Sequence, residues 1–180
     1  MKKIKITKTI SMISYDENDY LNNQKEIYDS MIKIINSFDA DQTAVLHKEY
    51  IDNLNGDIYL ENKKVNIFLL KQNQIPISFA IFSNDKLDMI WTNFEYVKLG
   101  FATIILRVVA TELKLLNISS FDAEVNSENL VAQSLFDSFA KVEGVEHMAN
   151  NQENNKKTHK FDIKNIKNDK ILQEIKDFAI

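Results

Sequence analysis

Ile90-Trp91-Thr92-Asn93-Phe94-Glu95-Tyr96-Val97-Lys98-Leu99-Gly100-Phe101-Ala102-Thr103-Ile104-Ile105-Leu106 is the stretch on which the reading of this chain turns. A short apolar strand runs through a glycine turn straight into a helix. Glycine tolerates backbone conformations and close approaches that a Cβ resists. The first-turn amides of a helix have no intrahelical acceptor, and the positive end of the helix dipole lies beside them. Strand, glycine and helix N-terminus together predict a cradle for an anion such as phosphate.

Outward from that stretch, the helix continues through Ile104, Ile105, Val108, Val109, Leu113 and Leu116, a wide apolar face suited to packing on a sheet. Ser119 to Val125 follows as a strand. A strand, helix, strand connection returns right-handed into the same sheet, so this strand is expected parallel to the one before Gly100. Asn126-Ser127-Glu128-Asn129 carries helix-start chemistry for a helix burying Val131, Leu135, Phe136 and Phe139 and ending near Gly144. Val145 to Ala149 and Thr158 to Ile163 read as a final strand pair around the polar loop Asn150 to Lys157, and Asn168 to Phe178 as a terminal helix.

Upstream, Val65 to Leu70, Ile77 to Phe82 and Leu87 to Thr92 are apolar runs separated by turn residues, and predict a three-strand meander. Lys2 to Ile13 alternates in part and reads as a first strand. From Tyr20 to Phe38 the spacing of Ile27, Tyr28, Met31, Ile32, Ile35 and Phe38 predicts a helix capped by Asp19. A shorter helix is expected from Thr43, with Val45, Leu46, Tyr50, Ile51 and Leu54 inward, closing at Asn55-Gly56. Residues 1–165 are thus expected to form one domain, with a helix in 166–180 packed on it.

Composition bounds the function. At 180 residues, 44% hydrophobic and 27% charged, the chain matches ordinary globular domains, and no apolar run approaches the ~20 residues of a membrane span. Its opening residues are too polar for a signal peptide, which predicts a cytoplasmic protein without a membrane partner. The absence of cysteine excludes thiolate metal sites and cysteine nucleophiles. A net charge of -4 with one arginine, Arg107, argues against a nucleic-acid surface. His47, His147 and His159 show no metal-ligand spacing, and no metal site is expected from them.

The order strand, two helices, three-strand meander, helix, strand, helix, two strands resembles the fold of the GCN5-related N-acetyltransferases. That is an α/β (α+β) fold with a mixed, mostly antiparallel twisted sheet, a central parallel strand pair and flanking helices. Two motifs add to the likeness. Phe94-Glu95-Tyr96-Val97-Lys98-Leu99-Gly100-Phe101-Ala102 looks like the family's acetyl-CoA segment of Pro-Glu-Tyr, Arg or Gln, two residues, Gly, any residue, Gly or Ala. Asn129-Leu130-Val131-Ala132-Gln133-Ser134-Leu135-Phe136 looks like its Asn, two residues, Ala, two residues, Leu-Tyr segment. Val97 replaces the Arg or Gln, and Phe136 replaces the tyrosine that in many members protonates the departing thiolate.

The resemblance implies acetyl-CoA as co-substrate, with a small-molecule or protein amine as acceptor, and it allows a homodimer. The backbone from Ile90 to Thr92 would pair with the pantetheine arm. The amides of Lys98, Leu99, Gly100, Phe101, Ala102 and Thr103 would hold the pyrophosphate, Asn129 would contact the CoA arm, and Phe136 would face the thiol. From strand periodicity, Asp88 is the candidate base, on one face with Ile90, Thr92 and Lys86. The alternatives are a catalytically weakened module of the same fold that binds acyl-CoA or a protein, and an unrelated α/β interaction protein in which Gly100 only turns the chain.

Overall fold

The computed structural model describes residues 1–5, 10–38, 48–49, 51–52, 65–151 and 155–166. The helix expected at the C-terminus, and all of the Thr43 to Gly56 helix but four residues, lie outside them. Those four, 48–49 and 51–52, are helical, and Ile51 is fully buried as expected.

Eight strands form one sheet in the order β1-β2-β3-β4-β5-β6-β8-β7. They are β1 (Lys2–Lys5), β2 (Ile10–Tyr15), β3 (Val65–Gln72), β4 (Ile75–Ser83), β5 (Lys86–Thr92), β6 (Ser120–Asn126), β7 (Glu146–Asn151) and β8 (Lys156–Asp162). Every neighbouring pair is antiparallel except β5 and β6. The meander and the parallel return are as the sequence predicts. The single strand expected over Lys2 to Ile13 is instead two antiparallel strands, with Lys2 opposite Ser14.

Helix α1 (Glu17–Ile35) covers one face of the sheet, where Ile27, Met31, Ile34 and Ile35 pack with Ile67, Leu69, Phe79, Ile81 and Met89. Its N-cap is Asp16, whose side chain accepts the Asp19 N–H at 2.8 Å, not Asp19 itself. Helices α2 (Phe101–Leu115) and α3 (Leu130–Glu143) cover the other face. There Ile105, Leu106, Val109 and Phe139 meet Phe82, Phe121 and Phe161, in a core built on edge-to-face and stacked rings. Leu116 and Val131, expected inside, are exposed, because each lies at the end of its helix, beyond the sheet. The one arginine, Arg107, ties α2 to α3 through the buried Glu143 at 2.5 Å.

Candidate active site

The parallel ladder between β5 and β6 is short. It contains Lys86 opposite Asp122 and Leu87 opposite Ala123, after which the two strands part. The other edge of β5 stays on β4, with Ala80 opposite Ile90 and Ser78 opposite Thr92. Antiparallel ladders alternate between pairs that exchange peptide hydrogen bonds and pairs that do not. The Asn93 N–H donates to the Ile77 carbonyl at 2.8 Å, which sets the phase of that alternation. The peptide groups of Met89 and Trp91 therefore face β4, and those of Ile90 and Thr92 face the opening beside β6. No strand among the described residues takes up these two. Ser78, fully buried, pins the end of β5 by donating to the Trp91 carbonyl at 2.6 Å, with its hydroxyl 2.9 Å from that of Thr92.

At the vertex of the opening β5 carries a β-bulge: Phe82 lies opposite Leu87 and Ile81 opposite Met89, leaving Asp88 as the extra residue. The bulge reverses the alternation. Leu87 and Ile90 both belong to the core under α2 and α3, whereas Met89 and Trp91 belong to the core under α1. Asp88 accepts a hydrogen bond from Ser83, whose neighbour Phe82 points to the α2 side, so Ser83 and Asp88 lie on the α1 side. This corrects the expectation from strict period two: Lys86 and Asp88 share one face, and Ile90 and Thr92 take the other. Lys86 pairs with Glu124 at 3.6 Å instead of with Asp88.

Beyond Thr92 the chain makes a single turn of 3-10 helix, Phe94–Tyr96, capped by the Asn93 side chain on the Glu95 N–H. The Tyr96 ring packs on Phe101. Lys98, Leu99 and Gly100 are exposed, and both Lys98 (φ +65°) and Gly100 (φ +87°) adopt left-handed backbone. Gly100 is the N-cap of α2 and has no side chain with which to satisfy the amides of Phe101, Ala102 and Thr103. With no acidic residue in that first turn, the positive end of the α2 dipole is uncompensated. Lys98 makes no ion pair among the described residues.

Helices α2 and α3 begin at the ends where the parallel strands β5 and β6 finish, so their N-termini stand at the same end of these two central strands, on either side of the opening. Asn129, exposed, caps α3 by accepting the Ala132 N–H at 3.0 Å through Oδ1, which leaves its side-chain amide NH2 outward. Phe136 is buried, its ring 4.9 Å from that of His159 and 5.6 Å from that of Phe161. On the α1 side, Ser37 accepts the Phe94 N–H at 2.8 Å. Phe38 meets the rings of Trp91 (4.9 Å) and Phe94 (5.4 Å) edge-on. The end of α1 is thereby latched to the start of the glycine turn.

Two of the three histidines, which show no metal-ligand spacing in the sequence, are in contact: His147 Nε2 lies 2.8 Å from His159 Nδ1. Burial, aided by the charge of His147, pushes His159 down to about 4, and burial also lowers His147. Strand register, which brings β7 beside β8, makes this pair, and nothing in the local sequence signals it.

No protein-family model matches the chain, and no curated protein does. Solved structures do. The ribosomal-protein-S18-alanine N-acetyltransferase of Escherichia coli superposes with a TM-score of 0.54 at 17% identity, over 84% of this chain and 91% of that one. The PaiA N-acetyltransferase of Thermoplasma acidophilum, solved in complex with coenzyme A, gives 0.58 at 12% identity, over 86% and 99%. A GNAT-family acetyltransferase of Listeria monocytogenes gives 0.57 at 9%, over 88% and 98%. The sheet with its one parallel pair, the opening beside it and the flanking helices give this chain the fold of the GCN5-related N-acetyltransferases.

Proposed function

We propose that the chain is an N-acetyltransferase that moves an acetyl group from acetyl-CoA directly to a primary amine. The observation that carries this reading is the make-up of the opening: the outward peptide groups of Ile90 and Thr92 on β5 and, past one turn of 3-10 helix, the uncapped amides at the start of α2. These are a hydrogen-bonding edge and an anion site in one short stretch of chain. They fit a ligand with an amide-bearing arm and a pyrophosphate. Bound acetyl-CoA supplies the activated acetyl group as a thioester.

The chain's own residues then do the following. Ile90 and Thr92 align the arm through backbone hydrogen bonds, and such alignment carries much of the rate gain in group transfer between bound reactants. The amides of Lys98, Gly100, Phe101, Ala102 and Thr103 hold the pyrophosphate, that of Leu99 being turned to the Tyr96 carbonyl at 3.3 Å, with the Lys98 ammonium adding charge where Val97 supplies none. The outward amide of Asn129 contacts the arm from α3. Asp88, at the vertex and on the α1 face, receives the proton that an amine with a free pKa near ~10.4 must lose before attack, by way of water. Phe136 has no proton to give, so the thiolate leaves unassisted by that ring. The acceptor amine, on a small molecule or a protein N-terminus, approaches from the α1 side, in the cytoplasm.

Calorimetry with acetyl-CoA tests the cradle, and thiol release over a panel of polyamines, amino sugars and peptide N-termini tests the transfer. Binding with at least one accelerating amine is expected. Failure to bind acetyl-CoA sinks the proposal. Binding without any accelerating amine would leave an acyl-CoA-binding module, the reading that Val97 and Phe136 would then favour.

A further inference from the structure

Asp137, His147 and His159 are supplied by three elements, α3, β7 and β8. One ligand atom from each lies within 4.8 Å of the other two. His147 Nε2 is 2.8 Å from His159 Nδ1, and His147 Nδ1 is 3.5 Å from an Asp137 carboxylate oxygen. A tetrahedral zinc ion with bonds of about 2.0–2.1 Å to imidazole nitrogen and carboxylate oxygen sets its ligand atoms about 3.3 Å apart. The 2.8 Å and 3.5 Å contacts use opposite nitrogens of His147, only one of which an ion takes, so binding draws one atom of each residue, now within 4.8 Å of one another, to that spacing.

The setting of the rings is a second, independent observation. The His147 ring lies flat on Phe161 at 4.8 Å and 4°, and Phe136 packs against His159 at 4.9 Å. Both imidazoles are therefore held in place before any ligand arrives. His159 is fully buried, and its Nε2 has no hydrogen-bond partner among the described residues. The ring turns Nδ1 to the cluster and Nε2 away from it. Asp137 is exposed and His147 partly so, which leaves a path in from solvent and room for a water as fourth ligand. Lys157, the nearby cation, is turned to Gln133 at 3.0 Å.

We propose that Asp137, His147 and His159 bind a divalent transition-metal ion, with two imidazoles and a carboxylate selecting zinc over calcium or magnesium. The ion clamps the β7–β8 edge of the sheet to α3, beside Phe136. Acetyl-CoA plays no part in the site, so it stands or falls independently of the acetyltransferase reading.

The test uses the full chain, stripped with a chelator and titrated with zinc chloride by calorimetry, and with cobalt(II) by visible absorption. One zinc per chain, the intense visible bands of tetrahedral cobalt and a raised Tm with zinc are expected. His159→Asn risks the fold, so the more accessible positions carry the test: His147→Gln and Asp137→Asn, checked for native circular dichroism, should each weaken binding at least about tenfold. His47→Gln should leave it unchanged. Absence of binding by the wild type, or equal binding by the His147 and Asp137 variants, would show that the three side chains form only a hydrogen-bonded packing cluster.

Discussion

At Gly100 the backbone alone decides the cost of substitution. A Cβ built there meets nothing within 4 Å, yet φ is +87°. Gly100→Ala should therefore lower stability by about 1–2 kcal/mol, the penalty of a left-handed L-residue, as read in denaturant unfolding. Acetyl-CoA affinity should stay near wild type. Gly100→Glu adds the same strain and also sets a carboxylate beside the free α2 amides, so it should weaken acetyl-CoA at least about tenfold by calorimetry, an effect that added salt reduces. At Phe136 the expectation concerns rate. Phe136→Tyr restores a phenolic proton in a position that packs against His159 and Phe161. General acids contribute ~10²–10⁴-fold, and a tyrosine placed without an evolved hydrogen-bond network should fall at or below the lower end. A faster thiol release at unchanged acetyl-CoA affinity is the expected result. Lost stability with no gain in rate would mean that the ring edge does not reach the thiol.

Among the elements, α1 offers a direct check on local reading. Asp16, not Asp19, accepts the capping bond, so Asp16→Ala should cost about 1 kcal/mol of stability and Asp19→Ala less, by chemical denaturation. Sequence found α1 but set it three residues late, at Tyr20 to Phe38 where the helix is Glu17–Ile35, and missed its cap by one turn, because Asp16, Asn18 and Asp19 are all competent cap residues within four positions. The meander was legible for a physical reason: apolar runs end at Asn73-Gln74 and Asn84-Asp85, and Asn73, Gln74 and Asn84 all carry positive φ. No glycine, proline, asparagine or aspartate stands between Lys5 and Ile10, so nothing announced the reversal between β1 and β2. The face of Asp88 was illegible for another reason. A bulge adds one residue to the strand, and its position is fixed by the partner strand. The glycine turn into α2 is a local feature and could be read. The parting of β5 from β6 and the meeting of His147 with His159 are long-range and could not.

Across the whole molecule, one sheet separates two cores, and the polar groups enclosed with them tune its response to pH. Tyr15 is buried, and that burial, reinforced by the nearby carboxylates of Glu26 and Asp19, pushes its hydroxyl up to about 12. A raised folded-state value means that the native protein holds this proton more tightly than the unfolded chain. The stabilisation is fully present below the unfolded value near ~10 and is lost as pH rises from there through about 12. Ultraviolet titration should show Tyr15 ionising late among the six tyrosines. In Tyr15→Phe the alkaline loss of stability should be shallower. Among the described residues no helix is long and apolar enough to cross a membrane.

The latch at the end of α1 has a practical consequence. The chain's single tryptophan, Trp91, sits half-buried on β5 between the peptide groups of Ile90 and Thr92, with the Phe38 ring against it. Its emission therefore comes from one known position, on the strand that borders the opening. Adding coenzyme A to the wild-type chain should change the intensity or wavelength of that fluorescence in a saturable way. Stopped-flow traces of the same signal, with acceptor amine present or absent, would show which of the two partners arrives first.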